Sequence, residues 1–243
     1  MRWASDARRA GGRDTAGPRR TQEVLGTMAL RTVEDAHHAV LATAKELLAK
    51  GLVEGTAGNV SARMPDGNVC ITPSSVDYRA MTLDDLVVID PRGEVVDGTR
   101  PASSEKALHL ACYQAFEEVG SVIHSHPVHA TVFAVARLPI PACIDEFTVY
   151  VGGEVAVTEY APSGTHDVGK AAVACLADRG AALLANHGMV AVGKDPADVL
   201  HVTACVERTA EIVLGAMALG GAVPLPDKVN DDFKGVYKYL RTN

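Results

Sequence analysis

The chain has 243 residues, enough for one globular domain with a single large core. A hydrophobic content of 47% against 22% charge excludes an intrinsically disordered chain, and no apolar run approaches the roughly 20 residues that would span a bilayer. The formal net charge of −7 argues against a nucleic-acid surface but not against a phosphorylated ligand, which backbone N–H groups and hydroxyls can hold locally.

Residues 1–30 are rich in Arg and Gly without apolar periodicity. They read as a disordered tail ahead of a domain over 31–243, with Met28 opening a sensible beginning of its own. They lack the continuous apolar centre of a secretory signal. From Thr32 a helical stripe runs through Val33, Ala36, Val40, Ala44, Leu47 and Leu48 and closes at Gly51. Short strands are expected at 58–63, 69–72 and 86–89, set off by the turns Pro65-Asp66-Gly67 and Pro91-Arg92-Gly93. A helix over 104–118 precedes a buried strand over 119–126, and a proline-opened helix follows from Pro127 to Ala136. Further strands are expected near 143–150, 154–157, 182–186 and 189–192, with helices over 166–178 and 195–220. Adjacent strands are too frequent for a βαβ pattern, so the predicted fold is α/β with a largely antiparallel sheet flanked by helices. Cys70, Cys112, Cys143, Cys175 and Cys205 lie far apart without a Cys-x-x-Cys pair and read as reduced thiols of a cytoplasmic protein.

The most informative tripeptide is His124-Ser125-His126. On a strand both imidazoles share one face while Ser125 points away, and Pro127 ends the strand where a site can open. Alone, His-x-His fits two structural histidines more readily than a metal pair. His187 follows the apolar run Leu183-Leu184-Ala185-Asn186 and precedes Gly188, so it also stands at a strand end. Three neutral imidazoles that leave positions open for substrate form a catalytic rather than a structural zinc pattern. His37, His38, His166 and His201 lie on helices as ordinary polar residues, and His129 reads as packing or as support for the pocket.

Ser103-Ser104-Glu105 opens the helix that follows, where the serines can cap the first turn and the free N–H groups can take an anion. Glu105 by itself could simply complement the helix dipole. Gly55 to Ser61 is a glycine-bearing turn with polar atoms on Asn59 and Ser61, and Thr72-Pro73-Ser74-Ser75 is a second hydroxyl-rich turn. Neither fits a P-loop or a dinucleotide fingerprint. The three segments together suggest an anion pocket without a lysine.

The segments GTAGNVSAR, ITPSSVDY, SSEKALHLACY, VIHSHPVHAT and LLANHGMVAVG resemble, in order and spacing, the class II aldolase/adducin family, over nearly everything from residue 32 onward. The resemblance implies a three-layer α/β/α fold with a predominantly antiparallel central sheet, assembled as a homotetramer. It implies one Zn²⁺ per subunit on His124, His126 and His187, with Glu105 as acid/base that also ligates zinc until substrate displaces it. It assigns phosphate binding to Asn59, Ser74, Ser103 and Ser104, with Gly58 and Ser75 in the same cradle. The expected reaction is reversible cleavage of a ketose 1-phosphate, L-fuculose 1-phosphate or similar, to dihydroxyacetone phosphate and a small aldehyde. One departure stands out. The family's tyrosine after its Ile-Pro-Ala segment is missing, since Cys143-Ile144-Asp145-Glu146-Phe147 follows Ala142, and Asp145 or Glu146 takes that place. A second family tyrosine, near the C-terminus, is matched by Tyr237, with Tyr239 next. Competing readings are an epimerase or dehydratase with the same zinc site and a non-catalytic adducin-like module. A metal hydrolase fits least, because Val128 stands where such sites want an Asp.

Overall fold

A computed structural model of the chain describes residues 32–242, so the tail expected over 1–30 lies outside the described residues. The first helix, α1 (Val33–Ala49), starts where the Thr32 hydroxyl accepts from the Asp35 N–H while the Asp35 carboxylate accepts from the Thr32 N–H. It buries Ala36, Val40, Ala44 and Leu47 along one face. The strands β1 (Asn59–Arg63), β2 (Val69–Ile71), β3 (Val87–Ile89) and β4 (Val95–Asp97) form an antiparallel meander. Then come α2 (Lys106–Ala115), β5 (Ser121–Ser125), α3 (Val128–Ala136), α4 (Asp145–Val151) and α5 (His166–Leu176). The chain closes with β6 (Ala181–Leu184), β7 (Gly188–Gly193), α6 (Pro196–Ala218) and α7 (Asp227–Thr242).

The seven strands make one sheet in the order β4-β3-β2-β1-β5-β7-β6, with every pair antiparallel. One core lies under α2 and α5 and contains Val122, Leu108 and Val190. The other lies under α1, α3 and α6 and contains Ile123, Val60 and Ala191. The result is the expected three-layer α/β fold. Strand alternation then decides which way the site faces. His124 shares the side of Val122, toward α2, while Ser125 shares that of Ile123.

Two expected strands are corrected. Residues 143–150, rich in β-branched and aromatic side chains, form the helix α4, because Phe147, Thr148 and Val151 fall one turn apart and all face the core. Residues 154–157 make only isolated bridges, Ile140 with Val155 and Val157 with Leu183. The short edge strand β4 and the charged helix α7 were not anticipated. Among the described residues no helix is long and apolar enough to cross a membrane.

Candidate metal centre and active site

His124 comes from the middle of the sheet, and His126 follows immediately after β5. His187 belongs to the three-residue turn joining β6 to β7, and that hairpin lies alongside β5 through the pairing of Ser125 with Met189. Two backbone features make the turn possible. Asn186 takes a left-handed φ of 55°, and Gly188 lies so close to His126 that an added Cβ would sit 2.5 Å from its Cδ2. The three rings meet with centroids 4.6–4.9 Å apart, and their ligand nitrogens all lie within 4.8 Å of one another.

Glu105, at the start of α2, approaches the same point. Its Oε2 lies 2.9 Å from His124 Nε2 and its Oε1 3.7 Å from His187 Nε2. The Met189 carbonyl can only accept, so His124 Nδ1, 2.9 Å away, carries the proton, and His124 Nε2 turns a lone pair to the centre. That nitrogen also lies 2.9 Å from His126 Nε2. Glu105 Oε1 is buried without a hydrogen-bond partner. Lone pairs and a carboxylate converging with too few protons between them suit a divalent cation.

Burial lowers His126 to about 4, helped by the charges of His124 and His187. Burial likewise lowers His187. The shift favours the neutral form that binds metal. For Glu105 burial works the other way and raises the carboxyl. With protons rather than a metal at the centre, the hydrogen bond and charge of His124, the charge of His187 and the Asn59 amide outweigh it and hold the group at about 2, so positive charge there keeps Glu105 ionised.

The hydroxyl-rich turns are stitched into one rim. Val60 N–H donates to Thr72 Oγ1 and Thr72 N–H returns to the Val60 carbonyl. Ser103 N–H then donates to the Thr72 carbonyl, and Ser74 N–H to that of Pro101. Ser103 Oγ accepts from Glu105 N–H at 3.2 Å, which leaves its own proton free to donate outward. Ser75 stands at φ 60° and Ser104 is exposed. Gly58, at φ 81°, presses its Cα against the backbone of β5. A Cβ there would lie 2.8 Å from the His124 carbonyl oxygen and 2.7 Å from Val53 Cγ1. Gly58→Ala is therefore expected to cost about 1–3 kcal/mol and to shift the metal strand, read as a lower melting temperature with reduced metal content.

Asn59 connects rim and centre. Opposite His124 in register, it donates from Nδ2 to Glu105 Oε2 at 3.4 Å and accepts at Oδ1 from His109. His109 and Tyr113, one and two turns along α2 from Glu105, continue the contact to Ser61 on β1. Sequence reasoning missed both, although the spacing of four from Glu105 to His109 to Tyr113 facing Asn59-x-Ser61 was visible.

Other expected residues stand elsewhere. Within one chain Tyr237 is not brought to this centre, for a clear reason. Helix α7 packs on α4, so the Tyr237 ring lies against Gly152 while its hydroxyl receives Arg241 Nη1. It lines a cavity with Val119 and Gly193, at the end of β5 and β7 opposite the histidines. Tyr239 is exposed. Asp145 and Glu146 occupy the exposed first turn of α4, with Glu146 paired to Arg208 at 2.9 Å. His129 is held by Glu207, whose carboxylate accepts from three N–H groups at the start of α3.

The profile of the family described as Class II Aldolase and Adducin N-terminal domain matches residues 38–214. The L-fuculose phosphate aldolase of Escherichia coli O6:H1 is 34% identical over 186 residues, covering 76% of this chain and 86% of that protein. The L-ribulose-5-phosphate 4-epimerase of Salmonella paratyphi B is 36% identical over 190 residues, covering 73% and 83%. A solved structure of L-fuculose 1-phosphate aldolase superposes with a TM-score of 0.80 at 35% identity, covering 84% of this chain and 96% of that one.

Proposed function

This chain belongs to the class II aldolase and adducin family and is a class II aldolase, and from that premise we propose that its substrate is a ketose 1-phosphate, L-fuculose 1-phosphate or a similar sugar. Reversible cleavage gives dihydroxyacetone phosphate and a small aldehyde. The observation that carries this reading is the convergence of His124, His126 and His187 with the buried Glu105 beside a rim of hydroxyl-bearing turns.

In this reading His124, His126 and His187, with Glu105 beside them, would hold one zinc ion per subunit. Bound there, the ion would supply positive charge to stabilise negative charge developing on substrate oxygens. Glu105, held ionised, takes the proton from the carbon that becomes nucleophilic and returns it in the reverse direction. Gly58, Asn59, Ser74, Ser75, Ser103 and Ser104 hold the phosphate through backbone N–H, amide and hydroxyl donors near the start of α2. That grip fixes the reacting carbons beside Glu105. Within its own chain Tyr237 stands at the far end of β5 and β7 from these residues. The exposed valines of α3 next to His126, Val128, Val132 and Val135, support burial against another subunit, in an assembly we read as a homotetramer. Five unpaired cysteines support a cytoplasmic location.

The test is a product screen of the zinc-loaded protein across fuculose, rhamnulose and deoxy-pentulose 1-phosphates. Two fragments are expected. An intact pentulose phosphate of inverted configuration would instead favour the epimerase reading, which the 36% identical relative keeps in view. EDTA should abolish cleavage and added zinc restore it. Borohydride with substrate should trap nothing, because no lysine serves as a Schiff-base nucleophile; the nearest in sequence, Lys106, donates its ammonium to the Gly93 carbonyl.

A further inference from the structure

Between β1 and α2 a buried row of side chains ties the rim residue Asn59 to three that the proposed reaction does not use, Ser61, His109 and Tyr113. Ser61 and His109 are fully buried, and Asn59 and Tyr113 nearly so. The direction of each hydrogen bond follows from one end. The Glu105 carboxylate only accepts, so Asn59 must present Nδ2 to it and Oδ1 to His109. His109 must then donate from Nε2, which leaves a lone pair on Nδ1. Ser61 donates to that lone pair at 2.6 Å, and Tyr113 donates to Ser61 Oγ at 2.7 Å.

An asparagine amide has little preference of its own between its two orientations, which a half-turn about χ2 exchanges. Glu105 favours one of them, but through a contact of 3.4 Å that holds it weakly. We propose that His109 is a positioning residue, whose Nε2–H holds Asn59 Oδ1 and so locks the amide with its donors facing Glu105 and the phosphate rim. An incoming phosphate then meets an N–H rather than an oxygen. Burial pushes His109 down to about 3, with the charge of His124 adding to the effect and that of Glu105 opposing it. The ring is therefore neutral, with a single N–H. Without it Asn59 is free to turn Oδ1 toward a carboxylate and a phosphate, where two acceptors repel. The phosphate part of this inference rests on the cradle reading above; the orientation of Asn59 does not.

The experiment uses the zinc-loaded enzyme with His109→Phe, His109→Gln, Asn59→Ala and the double variant His109→Phe/Asn59→Ala. Affinity for inorganic phosphate is read by calorimetry, KM and kcat by kinetics, and the Asn59 side-chain amide by ¹⁵N spectra of asparagine-labelled protein, assigned through its loss in Asn59→Ala. His109→Phe should weaken phosphate about tenfold or more. KM should rise in parallel while kcat moves far less, and the Asn59 amide signal should shift and exchange faster. His109→Gln, whose amide offers one donor and one acceptor, should recover most of this. The double variant should bind phosphate no worse than Asn59→Ala, because the two residues act as one unit. Ser61→Ala removes only the donor to Nδ1 and should give a smaller loss in the same direction; it serves where the phenylalanine variant does not fold. An unchanged amide signal in His109→Phe, or losses that simply add in the double variant, would overturn the proposal. Normal phosphate binding by Asn59→Ala, with its amide in the parent protein still responding to His109→Phe, would reject the cradle and leave the positioning role standing.

Discussion

Glu105→Gln is expected to keep the metal and lose the chemistry. The substitution preserves the size of the side chain and leaves three imidazoles in place, so metal content should stay near one per chain. Removing the Glu105 carboxylate removes the proton acceptor, and kcat should fall by about 10²–10⁴-fold, the usual contribution of a positioned acid/base group. The specific readout is exchange of solvent deuterium into dihydroxyacetone phosphate, which needs no aldehyde partner. Exchange at the parent rate in this variant would remove Glu105 from the mechanism. The glutamine amide would also point an N–H or an oxygen at the His124 lone pair, so a modest change in metal affinity is compatible with the reading.

His187→Ala should produce the opposite pattern, loss of metal with the fold retained. His124 is wholly buried and bonded to Met189, so its removal would disturb the sheet, whereas His187 stands partly exposed in a turn. The variant should purify with little metal. Its activity should be lower by something on the order of a thousandfold, matching the several kcal/mol that a metal acting as Lewis acid contributes. Its melting temperature should stay close to that of the metal-free parent. A variant that retains stoichiometric metal and normal turnover would break the three-histidine centre.

The parts legible in the sequence were those whose spacing matches a secondary-structure period. His124 and His126 announced a shared face through their spacing of two, and Gly188 marked the turn that brings His187 back. The strands of the meander were legible because Pro-Asp-Gly and Pro-Arg-Gly punctuate them. Helix α4 was not, since Phe-Thr-Val-Tyr-Val has strand composition and its helical burial depends on cores supplied by α6 and α7. Helix α7 hid behind its charge. Its one buried residue, Tyr237, is apolar mainly because of what it meets in the fold. The tyrosine's distance from the histidines could not be read from a motif, because it depends on which end of the sheet α7 covers. His109 escaped notice within the apolar run from Ala107 to Cys112, since its significance lies in facing β1 rather than in any local pattern.

The sheet order has a consequence for how the protein assembles. The three histidines meet where the β6–β7 hairpin lies beside β5, through the pairing of Ser125 with Met189, a contact that closes a long stretch of intervening chain. Neither the N-terminal meander nor the C-terminal hairpin carries a complete set of ligands. The ion is therefore expected to bind only once that hairpin has closed on β5. It then acts as a latch that slows unfolding rather than as a template that hastens folding.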